Sequence, residues 1–247
     1  MTIVRELDLE TLVLKPGAHT PDGVMCVMEA VAFVAGEPWS DSPQCVSPVL
    51  SSFARTWNDG MRTDEERDSL KPYITRLIGT AGDAEADERR AWLATDWLVR
   101  VCAPAWLRLA GLNERADALV ALQPIANAAY AASVQGEIEA ARREADAARA
   151  AAGAAAWDAA WAAAGAAARA AAGAAAWDAA WDAARAAAGA AAWAAAWDAA
   201  WAAAWDAAWD ALEPTVLALQ VFGHVLFDLM IDAAPCPERW PELVVVA

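Results

Sequence analysis

From Ala150 to Ala211 nearly every residue is alanine, and every fourth one is not. The exceptions read Arg149, Gly153, Trp157, Trp161, Gly165, Arg169, Gly173, Trp177, Trp181, Arg185, Gly189, Trp193, Trp197, Trp201, Trp205 and Trp209. A second slot one residue later holds Asp158, Asp178, Asp182, Asp198, Asp206 and Asp210. Residues 150–169 and 170–189 differ at three positions only, 162/182, 165/185 and 169/189. Alanine is the strongest intrinsic helix former, and nothing β-branched interrupts the run. An isolated glycine costs only about 1 kcal/mol against alanine. The tract therefore reads as helix.

Its period decides what kind. At about 100° per residue a step of four overshoots a turn by about 40°, so the tryptophans wind around a straight helix. A heptad seam would keep them on one face, so the pattern is not an ordinary coiled coil. One rod of about 62 residues would reach about 90 Å and meet partners on several sides. The alternative, which the spacing favours, is folding back near glycines into antiparallel alanine-rich helices with indoles between them. Nine exposed indoles would be a serious association liability, so Trp157, Trp161, Trp177, Trp181, Trp193, Trp197, Trp201, Trp205 and Trp209 are expected to be packing or interface residues. The acidic slots recur too often for a membrane span of about 20 apolar residues.

The 247 residues carry a formal net charge of −16, spread over both halves. Without a basic patch, such a chain is poorly suited to nucleic-acid phosphates. The four cysteines, Cys26, Cys45, Cys102 and Cys236, include no close pair, and the first residues lack the apolar core of a signal peptide. The expectation is a cytoplasmic protein with reduced thiols.

Outside the tract the chain reads as further helices, hence an all-α fold. Leu12-Val13-Leu14 is a short strand or an apolar arm. Thr20-Pro21-Asp22 should open a helix from Asp22 to Ala35, stopped by Gly36. Ser47-Pro48 starts another, ending near Asn58-Asp59-Gly60, and Thr63-Asp64-Glu65-Glu66 a third. Pro72 opens a short segment to Leu77. Residues 84–110 are the strongest amphipathic helix of this half, with Pro104 expected to kink or restart it. Asn113 starts a short helix to Leu122, and Pro124 starts the run into the tract. Glu213-Pro214 should break the chain before an amphipathic helix from Val216 to Ile231. The expected division is a small helical domain at 1–125, the tetrad region at 126–211, and a C-terminal helix and tail at 212–247.

Cys26-Val27-Met28-Glu29, Ala35-Gly36-Glu37, Ser40-Asp41, Pro43, Cys45, Pro48, Leu50, Asn58-Asp59, Leu70, Pro72, Leu77 and Gly79 resemble an uncharacterised helical family of high-GC bacteria and their phages. The resemblance covers roughly a quarter of the chain. It implies a small helical domain ahead of the tract and no activity. Members often carry a histidine in the loop where this chain has Trp39 and Ser42. The tetrads also resemble tracts in bacterial immunity proteins.

Several constellations carry possible chemistry. Cys26 and Glu29 lie one helical turn apart, and with Asp41 and Cys45 they could converge on a metal ion if the loop folds over the helix. Buried cysteines as plain apolar fillers are the simpler expectation, and no cofactor is expected otherwise. Arg142, Arg143, Arg149, Arg169 and Arg185 could line an anion-binding groove beside the tryptophans, or simply form salt bridges. His224 and Asp228 stand at i,i+4, a surface or partly buried pair rather than a catalytic dyad, because no nucleophile motif accompanies them. No Walker, Rossmann, GxSxG or HExxH pattern is present. The leading expectation is a non-enzymatic helical scaffold or interaction protein, associating with itself or another protein through the tract. The alternatives are a phage or bacterial defence-related binder of a small anion or partner, and a metal-dependent enzyme using the Cys/Glu/Asp cluster.

Overall fold

The computed structural model describes residues 5–21, 24–148 and 210–243. All nine tract tryptophans, with Arg149, Arg169 and Arg185, lie outside the described residues. Among the described residues the protein is helical and contains no strand. The helices are α1 (Val27–Ala35), α2 (Pro48–Gly60), α3 (Asp64–Asp68), α4 (Tyr73–Arg76), α5 (Ala84–Trp97), α6 (Ala103–Leu109), α7 (Asn113–Val120) and α8 (Ala128–Ser133). A ninth, α9, occupies 135–148, and α10 covers Asp210–Ile231. Leu14 and Met25 form an isolated parallel bridge, so the Leu12–Leu14 stretch is an arm laid on the core, with Leu14 fully buried.

Local chemistry sets most boundaries. Ser47 caps α2 by accepting from the Leu50 N–H, with Pro48 at the first position, where its missing N–H costs nothing. Thr63 does the same for α3 through the Glu66 N–H. Gly36 ends α1 at φ 71°, a left-handed geometry that glycine alone adopts without strain.

Two boundaries differ from the sequence expectation, and the restart at Pro104 follows it. Described α1 begins at Val27, after an extended Cys26. Lys15 donates to the Met25 carbonyl at 3.0 Å, which holds the chain before α1 in an extended form. The long helix of residues 84–110 is interrupted by a π-helical turn, Leu98–Cys102, and α6 restarts with Pro104 in its first turn. A proline in the first turn of a helix loses no intrahelical bond, because its N–H would have no partner there. Finally, Glu213-Pro214 does not break the chain: α10 is helical from Asp210 through both residues.

The chain divides into two compact units. The first comprises Met1–Val101, Leu122–Ser133 and Val221–Pro241. Its core joins Met28, Val31, Leu50, Leu70, Ile74, Leu77 and Leu93 to Leu226, Phe227 and Met230 of α10. This body is discontinuous in sequence. It is closed by residues from both sides of the tract. By length and composition α10 could cross a membrane, yet Phe222, Leu226, Phe227 and Met230 are buried in protein.

The second unit comprises Cys102–Ala121, Val134–Gln220 and Glu242–Ala247. There α6 and α7 form a hairpin through Gly111 (φ 77°), with Leu107, Ala116 and Leu119 inside. Arg115 of α7 reaches Glu137 at 2.9 Å and Glu144 at 2.6 Å, both on α9.

Candidate functional site

Within the first unit, α10 meets α2 and α4 through a cluster of rings. The His224 ring lies 4.7 Å from the Trp57 ring and stacks on Tyr73 at 5.7 Å. Phe227 stands edge-on to Tyr73 at 4.8 Å and stacks with Phe53 at 5.4 Å. Tyr73 Oη and His224 Nδ1 share a hydrogen bond of 2.9 Å. Asp228 pairs with Arg76 at 2.5 Å. Burial lowers the His224 pKa below its ordinary value, against a smaller opposing pull from Asp228. Burial pushes the Tyr73 phenol up to about 12, Asp228 adding to it. Near neutral pH the bond therefore joins two uncharged groups, a phenol and an imidazole.

The i,i+4 spacing of His224 and Asp228 is real helix geometry within α10. Each side chain has a partner of its own on α4. Tyr73 and Trp57 were invisible as its companions in sequence, since Tyr73 and His224 are 151 positions apart. The available signal was the presence of aromatic residues on both elements.

A second polar centre surrounds Glu29, 1% exposed. One carboxylate oxygen accepts the His19 N–H at 2.6 Å. The other accepts the Cys26 N–H at 2.7 Å and meets His19 Nδ1 at 2.9 Å. Trp39 Nε1 donates to the His19 carbonyl at 2.8 Å. Burial alone would raise the Glu29 pKa, but the bonds from Cys26 and His19 outweigh it and hold the carboxyl below its ordinary value.

Of the four residues proposed as metal ligands, the structure brings Cys26 and Glu29 together and sends the others elsewhere. Asp41 lies 3.6 Å from Arg55, and Cys45 interacts with Glu37. Burial pushes the Cys26 thiol up to about 12 and the Cys45 thiol up to about 11, which works against the thiolate a metal needs. Among the described residues, no three His, Cys, Asp or Glu side chains are grouped to hold a metal ion. Glu37 instead accepts from the Gln44 N–H at 2.7 Å, fixing the loop. Of the five arginines considered for anion binding, Arg142 and Arg143 are described. They face solvent and pair within α9, with Asp146 at 3.9 Å and Glu139 at 4.0 Å.

A third polar centre, fully enclosed, was not foreseen. Asp96, fully buried, accepts from Ile125 N at 2.7 Å, Trp240 Nε1 at 2.6 Å and Arg100 Nη1 at 3.2 Å. Arg100 also donates to the carbonyls of Pro237 at 3.2 Å and Glu238 at 2.8 Å. One turn or more earlier on α5, Arg90 donates to the Met230 carbonyl at 2.9 Å and Arg89 to that of Ala233 at 3.1 Å. These side chains clasp the end of α10 and the segment behind it. The i,i+4 spacing of Asp96 and Arg100 was visible in sequence, but nothing local pointed to Trp240. No protein-family model, curated protein or solved structure matches the chain.

Proposed function

We propose that the protein is a non-enzymatic helical scaffold, whose Trp/Ala tract mediates helix packing or homo-oligomerisation while the first unit serves as its anchor. One observation carries the reading. The large hydrophobic residues of α10 that stand exposed are Leu217, Val221 and Val225, at 47%, 63% and 36%. Counting in fours from Trp209 passes Glu213 and then reaches these same positions. They keep the tract's register. Three residues at i, i+4 and i+8 span only about 80° and so share one face of a helix. An exposed apolar face of this kind, preceded in sequence by the tract's indoles, supports an interaction surface.

Concentration-dependent light scattering tests the reading on three full-length proteins. These are the natural chain, a tract variant (Trp197→Ala, Trp201→Ala, Trp205→Ala, Trp209→Ala), and Val221→Asp with Val225→Asp. The natural chain is expected to exceed the 26.0 kDa of one copy, and the tract variant to fall toward it. A natural chain of single-copy mass at every concentration removes self-association. Dissociation of the tract variant alone would confine the contact to the tract.

A further inference from the structure

We draw no further inference here: the strongest candidate, the solvent-facing apolar row Leu217, Val221 and Val225 on α10, belongs to the interaction face already proposed, and nothing in the structure shows what covers it.

Discussion

Gly223 and Trp57 approach so closely that a Cβ on residue 223 would lie 2.9 Å from the indole Cζ2. The indole has little room to yield, because Phe53, His224 and Phe227 surround it. Alanine gains about 1 kcal/mol over glycine in a helix, whereas overpacking costs about 1–3 kcal/mol. Gly223→Ala should therefore destabilise by about 1 kcal/mol net, read from urea midpoints. In a Trp57→Ala background the same change should become neutral or stabilising, and a penalty that persists there would place its origin elsewhere.

The Tyr73–His224 pair sets a pH dependence of definite sign. The His224 pKa is lowered on folding from 6.5, so the folded state binds fewer protons than the unfolded chain just below that value. The stability it contributes is present above pH 6.5 and lost as the pH falls below it. Denaturation at pH 8, 7, 6 and 5 should show the natural chain weakening faster than His224→Gln over the lower half of that range. Parallel curves would mean that the imidazole titrates alike in both states.

A second loss should come at lower pH, from Glu29. Its folded pKa is depressed from 4.5, so its contribution is present above that value and lost as the pH falls through the folded pKa. Removing the carboxylate at neutral pH leaves the buried N–H of Cys26 and the half-buried N–H of His19 without an acceptor, a fully buried donor costing about 1–3 kcal/mol. Glu29→Ala should lose about 2–4 kcal/mol by chemical denaturation. Hydrogen exchange should quicken first at the amides of His19 and Cys26. Unchanged exchange there would contradict the role given to Glu29.

What could be read from the sequence was what local chemistry decides. Ser47-Pro48, Thr63 and Gly36 mark helix ends because a capping side chain or a left-handed glycine acts within four residues. The start of α1 was misplaced by a longer-range cause, the pairing of Lys15 with Met25, which overrides the good helix start at Thr20-Pro21-Asp22. Pro214 reads as a breaker from its own backbone, yet α10 runs through it from Asp210 to Ile231. The site partners Tyr73 with His224, and Asp96 with Trp240, lie 151 and 144 positions apart. No periodicity or spacing rule reaches so far. The sequence division at residue 125 likewise had no means of showing that Val221–Pro241 completes the first unit.

Val221–Pro241 closes the first unit from the far side of the tract. That closure rests on Asp96 with Trp240, on Arg100 with the carbonyls of Pro237 and Glu238, and on Arg90 with that of Met230. Breaking a buried, paired charge of this kind typically costs about 3–5 kcal/mol, a large share of a domain's stability. The direct measurement is hydrogen exchange on the full chain and on a chain ending at Asp210. The full chain should protect the amides of α1 and α5, and the shortened chain should lose that protection in both helices together. Protection of α1 and α5 retained in the shortened chain would show that the first unit folds without Val221–Pro241, and would contradict the account.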